Sequence, residues 1–495
     1  VAGNPVVRYN SDYLRADDVE RIDTRQNARN RSALASGKID ITTTPTINLS
    51  VGGSMDLSNN QSFNRNNSLL NAENNTEFHN STWRTFLRFT QRFNSKEESA
   101  EDHGKGGIKN AYYSIQLDYS RFSQKSESES HGDNLFDYGY LGKYTTDRVP
   151  TYNQLSGKQT GFMDTQVHFT PSDQNPDAAA FPEQYFSLFP EGSQFYQNFL
   201  NVQQNGGLLN GQVPGSVYNL WNNVGGLSNQ YSSYQSDQAR VSATGAADIG
   251  KHAVSIGVEY EQLTQRSYVL APVGLWTRAR ALTNFHLREL DRSDSTIVQG
   301  PFGVIYTNYS RLVGDDQTVF DYNLRQALGL DPRGKDFIDV DALDPSVFSL
   351  DMFSPDELIQ DGNGGMINSY YGYDYTGKKL KSRPSFSDFF NDFKLIGNDS
   401  SYTRLQAPFQ PIYVAGYVMD KFAFDDIIFN VGVRVDRYDA NQNVLKDPYL
   451  WRPAYKAGDG QVQDLYNGNN PRPSNIGDDY VVYVNNSADP TAIVG

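Results

Sequence analysis

Four segments of the chain alternate apolar and polar residues with the period of two that belongs to a strand with one apolar and one wet face. From Ile47 to Leu57 the odd positions hold Ile47, Leu49, Val51, Gly53, Met55 and Leu57, and the even ones Asn48, Ser50, Gly52, Ser54 and Asp56. Tyr113 to Tyr119, Val254 to Tyr260 and Ile427 to Val435 repeat the pattern, as in Val254, Ile256, Val258 and Tyr260 against Ser255, Gly257 and Glu259. Trp83 to Phe93 alternates less cleanly, with Leu87, Phe89 and Phe93 opposed to Arg84, Arg88 and Arg92. Those arginines either line a barrel lumen, or touch whatever fills it, or are simply the polar half of a barrel strand.

A soluble β-sandwich alternates for the same reason, so the period alone leaves that architecture open. Connection lengths favour a transmembrane barrel, which has short turns at one end and long loops at the other. Asp248-Ile249-Gly250-Lys251 and Lys421 to Asp426 read as tight turns, and Pro45 sits in a turn between Ile39 to Thr43 and Ile47 to Leu57. Long stretches without alternation cover about 171–230, 271–410 and 440–495. They are far longer than ordinary loops and are expected to be functional. A short helix is expected from Leu275 to Leu290. The pattern therefore predicts an all-β chain forming an antiparallel transmembrane β-barrel with long extracellular loops.

Composition sharpens this picture. The chain has 495 residues, 38% hydrophobic and 13% aromatic, and a mean hydropathy of -0.61. It lacks the run of roughly 18 apolar residues that a membrane helix needs. A barrel strand gives only alternate residues to lipid and places aromatic girdles at the interfaces, so a polar, aromatic-rich chain suits it. The net charge of -15 argues against nucleic acid, because phosphate binding needs clustered cations. Without any cysteine, disulfide frameworks, thiol nucleophiles and thiolate metal sites are excluded.

Candidate chemistry is sparse. The six histidines form no HExxH pair, and neither a Walker loop nor a GxSxG elbow occurs, so no catalytic residue is assigned and no enzyme activity is expected. Asp339, Asp341 and Asp344 lie in an acidic stretch that either offers oxygen ligands to Ca²⁺ or forms a solvated loop face. It lacks the order of an EF-hand, so no cofactor is assigned beyond this possible Ca²⁺. Tyr370, Tyr371, Tyr373 and Tyr375 form an aromatic patch. It either stacks on sugar rings or peptide, or packs the loop against its neighbours.

Two runs carry a family resemblance. Ile412-Tyr413-Val414-Ala415-Gly416-Tyr417-Val418-Met419-Asp420-Lys421-Phe422, followed by Phe429-Asn430-Val431-Gly432-Val433-Arg434-Val435-Asp436-Arg437-Tyr438-Asp439, resembles paired strands of TonB-dependent outer-membrane receptors. In particular it resembles the Bacteroidota type with a carboxypeptidase-regulatory-like N-terminal domain. Gly257-Val258-Glu259-Tyr260-Glu261-Gln262, Gly372-Tyr373-Asp374-Tyr375-Thr376-Gly377 and Val444-Leu445-Lys446-Asp447-Pro448-Tyr449 are similar to other parts of that family.

The resemblance implies a barrel of about 22 strands in the outer membrane of a Gram-negative bacterium, blocked by an N-terminal plug. The TonB complex acts from the periplasm through that plug, and extracellular loops hold the substrate. On this reading residues 1–32, with Tyr13 to Glu20, are a plug-to-barrel connection, and 33–495 the N-terminal part of the barrel. No plug or TonB box is recognisable, and Ile493-Val494-Gly495 lacks a terminal aromatic, so the chain is expected to be a barrel fragment. The implied partners are the TonB complex, outer-membrane lipid and a surface lipoprotein or other outer-membrane subunits, with no nucleic acid. Three functional readings remain: import of an unidentified peptide, glycan or metal chelate; a scaffold subunit in a larger outer-membrane assembly; or, apart from the resemblance, a soluble or surface-anchored β-rich binding protein such as an adhesin.

Overall fold

The computed structural model describes residues 14–93, 108–188, 198–359, 366–397, 399–424, 426–447, 454–466 and 470–495. Residues 1–441 and 442–495 form two compact units.

The first unit is built on an antiparallel sheet that follows the chain as an up-and-down meander. Its strands are β1 (Asn30–Thr44), β2 (Ile47–Gln61), β3 (Glu77–Arg92) and β4 (Ile108–Glu127). After an excursion containing the hairpin β5 (Gly142–Tyr152) and β6 (Gln159–Pro171), the sheet resumes with β7 (Tyr231–Ile249) and β8 (His252–Leu270). A second excursion carries the hairpin β9 (Leu290–Gln299) and β10 (Ile305–Arg311), β11 (Asn368–Tyr371), which pairs with β8, and the pair β12 (Phe393–Ile396) and β13 (Asp399–Tyr402). The sheet ends with β14 (Ile412–Phe424) and β15 (Ile427–Asp439). The four clean periodic segments fall inside these strands, and Trp83 to Phe93 overruns β3 by one residue. Pro45 lies in the β1–β2 turn, where its missing amide breaks no ladder. Gly250 turns β7 into β8 at a left-handed φ of 65°, open to glycine at little cost.

Register places the apolar residues in rows across the sheet. One row runs Ile39, Val51, Leu87, Leu117, Val241, Tyr260, Val414. The next runs Ile41, Leu49, Phe89, Ile115, Ala243, Val258, Gly416, Val435 and crosses all eight strands. This face is bare: Leu117 is 46%, Val258 62% and Val433 64% exposed. The polar face is sheltered in places. Ser50, Gly257 and Ala415 are buried on it, Arg240 pairs with Glu259 at 2.6 Å, and a cavity of about 650 Å³ opens beside Ser54, Arg84, Asp118 and Arg240. Arg88, from the arginine face of β3, donates to Gln116 at 2.6 Å. β1 and β15 stand at the two ends of the sheet.

The hydrophobic core lies in the excursions. Trp276, Phe320, Phe348, Phe353 and Leu358 form its centre, and Tyr268 and Leu270 of β8 and Tyr370 of β11 join them. Tyr268 and Leu270 share the face of Val254 to Tyr260, whereas Val269 on the opposite face is 44% exposed. The excursion body therefore rests on the apolar side of the sheet, just past the end of the apolar band. Two smaller clusters hold the first excursion, around Tyr144, Tyr185 and Leu209 and around Leu141, Ala178 and Phe181. That excursion covers residues 128–230 and so begins well before the expected 171. The second runs from 271 to 411. Its first helix, Gly274–Leu282, ends before the expected Leu290 because Thr283 leaves the helical region and Asn284 turns left-handed at φ 60°.

Residues 14–29, within the stretch expected as a plug connection, lie at the loop-rich end. The backbone amide of Gln61 donates to the Arg29 carbonyl at 2.8 Å, Asn75 donates to the Asn27 carbonyl at 2.9 Å, and Arg25 stacks over Phe63 at 4.4 Å.

The second unit is a small body with a two-residue strand pair, Tyr455–Lys456 and Val481–Val482, around Ala457, Val462 and Val482. The stretch 440–495, expected as a long loop, thus carries its own core. Among the described residues no helix is long and apolar enough to cross a membrane, a statement that leaves strands untouched.

A cation-lined cavity between the excursions as candidate functional site

The two excursions meet along their hairpins. Lys158 forms a parallel bridge to Thr307, the Thr307 amide donates to the Gly157 carbonyl at 2.9 Å, Tyr152 donates to Asn308 at 2.6 Å, and the Tyr309 amide to Gln159 at 2.7 Å. These bonds hold β10 against the β5–β6 hairpin. Next to them opens a cavity of about 470 Å³, within the range of small-ligand sites.

Its wall contains a ladder of rings and guanidinium groups drawn from four places in the chain. Arg311 lies over the Phe162 ring at 4.1 Å and 5.1 Å from the Phe337 ring. Arg148 covers Phe337 at 3.8 Å. Such contacts are worth about 0.5–2 kcal/mol each, most where water is excluded. Arg311 also donates to the Leu287 carbonyl at 3.0 Å.

The charges differ in how they are matched. Arg280 grips Asp341 through two bonds of 2.7 and 2.8 Å, and Arg288 meets Asp316 at 2.9 Å. Arg148 reaches Asp164 only at 3.6 Å, and Asp164 already accepts the Phe199 amide at 3.1 Å. Arg311 has no carboxylate within ion-pair distance among the described residues. Burial, and then the like charge of Arg148, push the Arg311 guanidinium below its ordinary pKa; burial does the same to Arg148 despite Asp164. Across the cavity Asp339, which accepts a long bond from Thr146 at 3.4 Å, is raised to about 6, first by burial and then by Asp341.

The residues singled out in the sequence take different places. Tyr370 and Tyr373 are buried in the core of the second excursion and Tyr375 packs against it. Tyr370 donates to the Arg404 carbonyl at 3.0 Å. Tyr371 is half-buried on β11. Tyr370 and Tyr371 lie on the strand that pairs with β8. Asp339, Asp341 and Asp344 do not converge: Asp341 serves Arg280, Asp339 faces the cavity, and Asp344 caps a short helix by accepting from the Ser346 amide at 2.9 Å. Among the described residues no group of three or more His, Asp or Glu is arranged to hold one ion.

The sequence pointed to Asp339 and Asp341 but not to Arg148, Phe162, Arg311 and Phe337. No spacing links those four, since tertiary contact between separate hairpins brings them together. Compared with known proteins, the chain matches no family model, no curated protein and no solved structure.

Proposed function

We propose that this chain forms part of the wall of an outer-membrane β-barrel receptor of the TonB-dependent kind, with the two excursions as its external ligand-binding body. One observation carries the reading. An apolar face crosses all eight meander strands and stays exposed, while the reverse face is polar and ion-paired. In water such a face would cost roughly 25 cal/mol per Å² of apolar surface left wet. Lipid removes that cost, and an outer-membrane barrel presents this arrangement of faces. The lengths of the connections agree, with turns at one end and folded excursions at the other. The family resemblance supplies the energy source, TonB acting on a nutrient that the residues leave unidentified.

The scaffold reading keeps one specific support. The excursion body lies on the apolar side of the sheet, beside the wall instead of over the polar face, which suits a partner in the same membrane.

The test is fractionation of the native producer. The full protein should leave membranes only in detergent and run faster on a gel unheated than boiled; release into a buffer wash would sink the barrel. Uptake of the cognate nutrient should stop when the proton gradient is collapsed, and uptake that continues would leave the scaffold.

A further inference from the structure

We infer that the cavity between the excursions binds a carboxylate, held by the guanidinium groups of Arg148 and Arg311. This deepens the receptor reading by naming the chemistry of its ligand, and it needs only the folded excursions.

The ladder of Phe162, Arg311, Phe337 and Arg148 has a plain alternative, a staple that merely joins two hairpins. A staple explains the rings better than it explains the charges. Two guanidinium groups close enough to repel each other are costly in a half-buried site, and a staple of apolar residues would avoid that cost. Arg280 and Arg288, on the same wall, are matched by Asp341 and Asp316. Among the described residues Arg311 is left without a counter-charge and Arg148 with a distant one. An incoming carboxylate would supply it, because the guanidinium fork fits two carboxylate oxygens and ring stacking fixes its plane beforehand. The volume of about 470 Å³ admits a sugar acid or the last residues of a peptide, and both bring the same group.

Asp339 modulates the site. Its neighbours are Asp341 and Asp164, which disfavour its charge, and Arg148 and Arg280, whose own charges it favours. Above about pH 6 Asp339 is ionised and repels an anion; below it that repulsion fades, while an ordinary ligand carboxylate stays ionised down to about pH 4. Binding should therefore strengthen as pH falls from about 7 to 5.

Calorimetric titration of the full chain in detergent tests this with four probes: D-glucuronate, D-glucose, acetyl-alanyl-alanine and its C-terminal amide. At least one acid should bind while its neutral counterpart does not, and which acid wins identifies the source. Arg311→Gln should weaken that acid about tenfold or more, the loss of a charged hydrogen bond. Arg311→Lys should recover part of it, Arg437→Gln on β15 should match the parent, and Asp339→Asn should flatten the pH dependence. Circular dichroism and the protease digestion pattern confirm that each variant keeps its fold. The inference is overturned if acid and neutral probes bind alike, if Arg148→Gln and Arg311→Gln both keep full affinity, or if no acid binds more tightly than about 10 mM. Should the protein prove water-soluble yet bind the acid, the receptor reading fails and this one stands.

Discussion

Arg280 and Arg311 face the same cavity and answer opposite requirements. Asp341, only 1% exposed, depends on Arg280, with Asn210 as its other donor at 3.1 Å. Truncating Arg280 to Ala would strand a buried carboxylate, which costs about 3–5 kcal/mol. We expect Arg280→Ala to loosen the second excursion and open it to protease at lower temperature, and the double variant Arg280→Met, Asp341→Leu to regain much of that loss. A single variant as resistant as the parent would show that the pair adds nothing. Asp339 adds a pH term of known sign. Its folded pKa of about 6 lies above the ordinary 3.8 of an aspartate, so its contribution to stability is complete below about pH 3.8 and is lost as pH rises through about 6. His286, buried and lowered from 6.5 by burial first, works the other way: its contribution is complete above 6.5 and is lost as pH falls. Comparing Asp339→Asn with the parent isolates the first term. The variant should gain thermal stability relative to the parent as pH rises from about 4 to about 6, and a constant difference across that range would refute the assignment.

Among the elements, the meander strands were legible in the sequence and the excursions largely were not. Val254 to Tyr260 and Ile427 to Val435 show a clean period because one whole face meets a single environment, so every second residue is chosen alike. β5 and β6 escape the same test because their neighbours change along their length. Tyr144 is buried in a cluster of its own, Arg148 faces the cavity, and Pro150 and Gly161 interrupt the pattern. The Tyr370 to Tyr375 run was visible as a patch, but its choice between packing and ligand depended on β8, a hundred residues away in sequence. The meander gives a sharp prediction of its own. Val258 lies on the apolar face and Ser242 on the polar face, where it stands opposite Glu259. Val258→Arg should cost about 2–4 kcal/mol if that face meets lipid near the bilayer centre, seen as loss of the fast-migrating unheated band. Ser242→Arg, next to a carboxylate, should keep that band. Equal behaviour of the two variants would mean that lipid does not cover the apolar face.

At the scale of the whole molecule, the two ends of the sheet differ in what they carry, and this sets a direction. The turns at Pro45 and at Gly250-Lys251 lie at one end; the excursions, the connection 62–76 and residues 14–29 lie at the other. Arg29 ties this last segment down by pairing with Glu77 at 3.3 Å and Glu129 at 3.0 Å. If the excursions face the outside, residues 14–29 face it too, whereas a connection to a plug pulled from the periplasm calls for the opposite end. These 495 residues contain no cysteine, so a thiol introduced here adds to no native thiol among them, and the protein without the substitution serves as the labelling control. Arg21, whose side chain is 92% exposed, and Lys251, exposed in the β7–β8 turn, are suitable sites. On intact cells a membrane-impermeant maleimide should label Arg21→Cys and spare Lys251→Cys, and both should react once the outer membrane is broken. The reverse pattern would turn the sheet over, put the excursions in the periplasm and remove the receptor reading. Labelling of both sites on intact cells would mean that the outer membrane does not separate the two ends.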